Sequence, residues 1–210
     1  MIVIIDYKAG NLTSVLRALN YLGYEAKITP DPEEVLHAER VVFPGVGAAK
    51  AAMEDLKKTG MAEALKEIYM RKIPLLGICL GAQIIFEESE EDNVKCLGIL
   101  PGIAKAFPLP LKDPVTGDIL KVPHMGWNQI KLIKSHPVFS DIHPDAEFYF
   151  VHSYYPMPKY TELILGVTDY GIRFYSAIAY RGLVAVQFHP EKSGRPGLKL
   201  LDNFCKWRPK

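Results

Sequence analysis

The first 80 residues alternate short apolar runs with stretches of helical period, and that alternation limits the possible fold more than any other feature of the chain. Residues 2–5 read Ile-Val-Ile-Ile, too short for a helix and apolar on both faces, as a parallel strand covered on each side must be. Leu12, Val15, Leu16, Leu19 and Leu22 follow at helical spacing, with Asn11 placed to cap the helix and Gly23 to end it. Further strands are expected at residues 26–28, 40–43 and 73–78, with helical segments at 53–56 and 62–69 between the last two. Strands separated by helices pair in parallel through right-handed crossovers.

The second half has a different rhythm. Gly, Pro and Asp punctuate strand-like stretches, and residues 113–118 read as a turn. Strands are expected at 127–133, 147–152, 163–168, 175–180 and 183–188, the last two joined as a hairpin through Arg181-Gly182. A closing helix at 197–206 carries Leu198, Leu201 and Phe204 on one face. The fold class is therefore α/β: a three-layer arrangement with a mixed, mostly parallel sheet, flanking helices and an antiparallel extension, in one domain spanning residues 1–210.

Composition removes several classes of function. The net charge is +1, and the basic clusters (Lys57-Lys58, residues 131–134) are short, so there is no electrostatic footprint for nucleic acid. The opening apolar run stops at Asp6 without a basic leader, and no run approaches bilayer length, so neither a secretory leader nor a membrane span is expected. Three cysteines, Cys79, Cys96 and Cys205, form an odd, sparse set that suits a reducing cytoplasm rather than a disulfide framework. No Cys/His spacing resembles a zinc site, and no metal or cofactor is expected.

Two strand ends carry chemistry. Gly77-Ile78-Cys79-Leu80-Gly81 follows an apolar strand and precedes a helix expected at 82–86. This is a nucleophile elbow with Cys in place of Ser: glycines permit the sharp turn, a helix start favours the thiolate, and the amide of Leu80 is placed to donate to an oxyanion. The alternative is a buried structural cysteine, the reading given to Cys96 and Cys205. At the other strand end, Val184-Ala185-Val186-Gln187-Phe188 runs into His189-Pro190-Glu191. His and Glu two residues apart in an extended segment point the same way, so Glu191 can orient the imidazole and His189 can take the thiol proton. Alone, the tripeptide could equally be a solvated turn. His37, His136 and His143 lack such pairing and are read as surface residues.

Together, Pro44-Gly45-Val46-Gly47, Gly77-Ile78-Cys79-Leu80-Gly81-Ala82-Gln83 and His189-Pro190-Glu191 make the chain resemble the class I, triad-type glutamine amidotransferases, in order and spacing across its whole length. Asp6-Tyr7-Lys8-Ala9-Gly10-Asn11-Leu12, Pro123-His124-Met125-Gly126-Trp127-Asn128, Tyr149-Phe150-Val151-His152-Ser153-Tyr154 and Glu191-Lys192-Ser193 are similar to the subgroup of glutaminase subunits of imidazole glycerol phosphate synthase. The chain departs from the usual pattern at Lys8, Ala49 and Ala82, none of them a triad position.

The resemblance implies that Cys79, His189 and Glu191 hydrolyse glutamine through a glutamyl thioester. It further implies that Gly45, Val46, Gly47 and Leu80 serve the oxyanion, and that Gln83, Ser153 and Tyr154 contact the substrate. The oxyanion loop would switch between inactive and active forms. A plain turn remains the alternative for Gly45 and Gly47, and strand packing for Ser153 and Tyr154. The implied partner is a (β/α)8-barrel cyclase subunit that receives the ammonia in a heterodimer, with Trp127, Asn128, Tyr149 and Lys192 at the interface. Core packing is the alternative for Trp127 and Tyr149. Rival functions are the glutaminase of pyridoxal phosphate or anthranilate synthesis, a cysteine peptidase or chaperone-like hydrolase, and a binding subunit with a decayed site.

Overall fold

A computed structural model of the chain describes residues 1–8 and 12–209. The expected cap at Asn11, and Ala9 and Gly10 beside it, lie outside the described residues. The elements run β1 (Ile2–Ile5), α1 (Leu12–Tyr21), β2 (Ala26–Thr29), α2 (Pro32–Leu36), β3 (Arg40–Gly45), α3 (Ala49–Thr59), α4 (Met61–Met70), β4 (Leu75–Cys79) and α5 (Leu80–Gln83). There follow β5 (Glu88–Ser89), β6 (Val94–Lys95), β7 (Gly102–Ala106), β8 (His124–Gln129), β9 (Lys131–Leu132), β10 (Glu147–His152) and β11 (Tyr154–Pro158). The chain closes with β12 (Ile164–Tyr170), β13 (Ile172–Tyr180), β14 (Leu183–Val186) and α6 (Gly194–Lys206).

The main sheet has eight strands in the order β2-β1-β3-β4-β14-β13-β12-β9. β2 through β14 are parallel, and β13, β12 and β9 extend them antiparallel. The pleat sorts side chains to two cores. Val3, Ile5, Val41, Phe43 and Leu75 go to one face, with Met53, Leu56, Leu65 and Ile68 from α3 and α4. Ile2, Ile4, Val42, Leu76 and Ile78 go to the other, with Val15 and Leu19 of α1 and Leu200, Leu201 and Phe204 of α6. This gives the three expected layers. Two smaller sheets, β10-β8 and β11-β7-β5-β6, carry the chain around the carboxyl end of β4. Among the described residues no helix is long and apolar enough to cross a membrane.

Three local expectations are corrected. The helix after Cys79 is a single turn, Leu80–Gln83, not 82–86. Ile84, Ile85 and Phe86 are fully buried, and their carbonyls accept from Leu97, Gly98, Ile99 and Leu100, so nothing is left to continue an α-helical ladder. The strand expected at 127–133 is two strands in different sheets: β8 pairs with β10 and β9 with β12, while Ile130 between them is buried. His136 is half-buried rather than on the surface. Its ring lies 4.9 Å from that of Trp207, and burial, with Lys134 nearby, lowers its pKa to about 4. His37 and His143 are exposed as expected. The hairpin through Arg181-Gly182 forms, with Tyr180 opposite Leu183.

α6 docks closely on the segment that follows His189. A Cβ built on Gly197 would run into the carbonyl of Pro190 and come within 2.8 Å of the Ser193 side chain. Alanine favours a helix over glycine by about 1 kcal/mol, yet this contact leaves no room for it. Gly197→Ala is therefore expected to destabilise the fold by about 1–3 kcal/mol, read as a lower urea midpoint at unchanged slope.

Candidate active site

Cys79 ends β4 and begins the α5 turn with φ 54° and ψ −109°, a conformation rarely adopted by a residue with a side chain. The glycines around it act by absence. A Cβ on Gly81 would collide with the carbonyl of Phe43, and one on Gly45 with the hydroxyl of Tyr7. A Cβ on Gly77 would press on Gly81 and Ala185 at 3.1–3.3 Å. β3, β4 and the elbow thus close on one another only because these positions lack side chains. Gly47 differs: a Cβ there meets nothing within 4 Å, but its φ of +94° favours glycine.

β14 is paired with β4 in parallel, Val186 opposite Ile78, so the two chemical strand ends lie side by side. His189 is 1% exposed, and its Nδ1 is 2.7 Å from Glu191 Oε1, both side chains being buried. Pro190–Lys192 is a 3-10 turn rather than an extended segment, but it delivers the same contact. The backbone amide of His189 donates to the carbonyl of Tyr149, and the Ser193 hydroxyl donates to the carbonyl of His189. Burial alone would push the imidazole towards neutrality. The electrostatic influence of nearby Cys79, with the hydrogen bond and charge of Glu191, outweighs it, and the His189 pKa is raised well above the ordinary imidazole range. Nε2 is buried with no partner of hydrogen-bond geometry, and it is the nitrogen left for Cys79.

These residues open onto one cavity of about 390 Å³, lined by Val46, Gly47, Cys79, Leu80, Gln83 and Glu91 on one side and by Pro123, residues 151–154 and His189 on the other. The volume suits a small polar ligand. The expected triad, the oxyanion residues Val46, Gly47 and Leu80, and Gln83, Ser153 and Tyr154 therefore converge, with buried Gly45 directly behind them. The Gln83 amide nitrogen already donates to the carbonyl of Tyr154 (2.9 Å) and to Gln187 Oε1 (3.0 Å), which leaves its oxygen for a ligand.

Two residues escaped the sequence reading. Gln187 is fully buried with its amide 3.7 Å from Cys79 Sγ; a polar residue inside the run 184–188 was the available signal. Glu91 lines the cavity and accepts from the amide of Ala49 at 2.7 Å, capping α3, whose own N-cap residue, Ala48, has no side chain able to do so. Its place among the acids of residues 87–91 gave no such signal.

The expected interface residues divide. Trp127 is 54% exposed, which sets aside core packing. It stands opposite Tyr149 in register, edge-on at 6.0 Å, and Lys192 Nζ lies 5.8 Å from the Tyr149 ring. Asn128 is half-buried and turns inward, donating to the carbonyl of Asp169 and contacting His124.

The comparisons give the class of protein that has this fold: the chain belongs to the class-I glutamine amidotransferase family, whose model matches residues 3–207. It is 52% identical over 207 residues to the imidazole glycerol phosphate synthase subunit HisH of Maridesulfovibrio salexigens, covering 99% of this chain and 97% of that one. It is 50% identical to the protein of the same name from Dehalococcoides mccartyi, covering 98% and 97%. A solved glutamine amidotransferase, 18% identical, superposes with a TM-score of 0.68 over 97% of this chain and 98% of that one, which establishes the fold.

The buried histidines make stability depend on pH. Burial, with His124 close by, lowers the His152 pKa to about 3. Between that value and about 6.5 the unfolded chain binds a proton that the native ring refuses, so stability falls as the pH is lowered through this window. His152 alone should remove about 2 kcal/mol between about pH 7 and pH 5. Urea titrations at the two values check this, and the loss should shrink in His152→Gln.

Proposed function

We propose that the chain is the glutaminase subunit of an imidazole glycerol phosphate synthase, hydrolysing glutamine to glutamate and ammonia and passing the ammonia to a (β/α)8-barrel cyclase subunit. The observation that carries the chemistry is the buried His189–Glu191 pair at 2.7 Å, beside a cysteine held in a strained turn over a cavity. What supports the pathway is about 50% identity to synthase subunits over nearly the whole chain, together with the segment Pro123-His124-Met125-Gly126-Trp127-Asn128.

With the Cys79 thiol proton held on His189, the thiolate attacks the side-chain carbonyl of glutamine. The oxyanion is held by the amide of Leu80 and by one from the Val46–Gly47 loop. The tetrahedral adduct collapses with cleavage of the C–N bond, and the imidazolium protonates the departing nitrogen, releasing ammonia and leaving a glutamyl thioester. Water then adds to the thioester and gives a proton to His189, which keeps it; the thiolate departs beside the imidazolium, and the product leaves as the acid and ionises to glutamate in solvent. Glu191 holds one tautomer of His189 throughout and stabilises its charge. Gln83, Ser153 and Tyr154 border the amino-acid end of the substrate, and the Glu91 carboxylate offers its α-ammonium group an opposite charge.

Free ammonia would be lost to solvent, so the acceptor must close over the site. In the barrel it would react with a phosphoribulosyl-formimino carboxamide ribonucleotide, yielding imidazole glycerol phosphate and aminoimidazole carboxamide ribonucleotide. Trp127, Tyr149 and Lys192 are the proposed docking cluster, and exposed Met125 lies on the same face of β8 as Trp127. The reading includes a single domain over residues 1–210, a cytoplasmic setting and no cofactor.

Glutamate release measured with the barrel cyclase, with and without its ribonucleotide, should rise strongly only when the ligand is bound; silence in both conditions, with the complex verified, would point to another partner. Cys79→Ala should abolish glutamine-dependent synthesis but leave synthesis from added ammonia intact. Trp127→Ala should weaken the complex about 30-fold by calorimetry, as loss of an exposed aromatic anchor does, without changing the melting temperature.

A further inference from the structure

At the cavity wall, where His152 is among the lining residues, lies a pair of imidazoles that the proposed chemistry does not use. His124 begins β8 and His152 ends β10, and they are cross-strand partners in register. Both are buried, 2% and 5% exposed. His124 Nδ1 is 3.0 Å from His152 Nε2, His152 Nδ1 is 2.8 Å from the carbonyl oxygen of Tyr154, and Asn128 Nδ2 is 3.3 Å from His124 Nε2.

The direction of this chain is fixed at both ends. The carbonyl of Tyr154 can only accept, so His152 carries its hydrogen on Nδ1. Asn128 Oδ1 accepts from the amide of Gln129 at 2.8 Å while its Nδ2 also donates to the carbonyl of Asp169, so the amide nitrogen is the group turned to His124. His124 then accepts at Nε2 and donates from Nδ1, and His152 accepts at Nε2. Each ring is a neutral Nδ1–H tautomer, and a second proton on either would set two donors against each other. The surroundings agree: His124 is stacked between Tyr170 (4.0 Å) and Phe150 (4.8 Å), and His152 lies against Phe107 and Phe174. Burial lowers both imidazole pKa values, to about 4 and about 3.

The inner end of the chain is the cavity wall itself. The Tyr154 carbonyl that receives His152 also receives Gln83, and Gln83 leads through Gln187 to Cys79. The outer end is β8, whose neighbouring side chains Met125 and Trp127 are exposed. We infer that His124 and His152 are positioning residues: a one-directional hydrogen-bond relay from Asn128 on β8 to the Ser153–Tyr154 wall, which sets the glutamine-binding geometry and ties it to the outer strand. This rests on the glutaminase reading above and adds to it two residues to which the proposed chemistry assigns no step.

The test uses the full chain in complex with the barrel cyclase. In His124→Leu the KM for glutamine should rise about tenfold, as loss of one positioning hydrogen bond allows, with kcat within about twofold of the parent. His124→Gln, whose amide can accept from Asn128 and donate to His152, should bring KM back to within about twofold of the parent. An unchanged KM in His124→Leu, a fall in kcat at constant KM, or a His124→Gln variant as impaired as His124→Leu would each overturn the relay. Should His124→Leu fail to fold, imidazole nitrogen NMR of the parent chain near neutral pH decides. Two neutral Nδ1–H rings support the relay, and an Nε2–H tautomer or an imidazolium at either residue overturns it. A parent complex without glutaminase activity would count against the proposed function alone, since the spectra would still decide the relay.

Discussion

Cys79 occupies a backbone conformation that costs about 1–3 kcal/mol for a residue with a side chain, and the molecule is arranged so that it cannot relax. β4 is clamped in register between β3 and β14, with Gly45 opposite Cys79 and Val186 opposite Ile78. Gly81 then brings the chain back against the carbonyl of Phe43 at a distance no side chain permits. Two fully formed parallel pairings and one backbone-to-backbone contact over-determine the turn. The thiol is thereby presented at the carboxyl edge of the sheet, where open α/β folds bind their ligands. The cavity, its histidine and its substrate wall all take their positions from that edge.

The electrostatics of the site follow from burial. A lone imidazole as enclosed as His189 would be neutral. Cys79 beside it and Glu191, buried with it and 2.7 Å away, reverse the preference. A buried ion pair is a weak source of stability, because desolvation offsets the attraction. Its value here lies in fixing which nitrogen faces the thiol: with Nδ1 committed to Glu191, only Nε2 remains for Cys79. The second pair of buried rings, His124 and His152, shows the opposite outcome in the same protein. With no carboxylate bonded to them and aromatic rings around them, they stay neutral and act as directional hydrogen-bonding groups. The neighbouring group, more than burial, decides which histidine is charged.

What could be read in the sequence was what depends on local pattern. β1, β3 and β4 show themselves because strands covered on both faces need unbroken apolar runs, and the hairpin of β13 and β14 because Arg181-Gly182 is a short turn between two such runs. The grouping of Cys79, His189 and Glu191 at one edge of the sheet was legible because these residues sit at strand ends with motif spacing. The failures have physical causes too. The helix after Cys79 stops at Gln83 because residues 97–100, distant in sequence, take the carbonyls of residues 84–86. β11 was missed because Pro156 and Pro158 argue against a strand; it is tolerated as the edge of its small sheet, where absent amides are harmless. His136 read as a surface residue because nothing local shows that Trp207 will come to rest against it. In each case a contact between remote segments decided the outcome.

The small β10-β8 sheet shows how such contacts become functional. Its alternation places Met125 and Trp127 outside and His124 and Asn128 inside, so one strand presents exposed apolar side chains on one face and a hydrogen-bonded polar line on the other. β10 repeats the arrangement in register: Tyr149 lies beside Trp127, and His152 bonds His124. The His189 amide is bonded to the carbonyl of Tyr149, so the base is anchored to this same ribbon. In the proposed complex, a partner that shifted the outer face of the ribbon would displace, through the backbone of two strands, both His189 and the Ser153–Tyr154 wall of the cavity. Coupling of two sites requires an element whose position both of them bias. In the proposed complex the ribbon would be that element: a slip of one residue would exchange its inner and outer faces, which leaves small rigid displacement as the motion open to it.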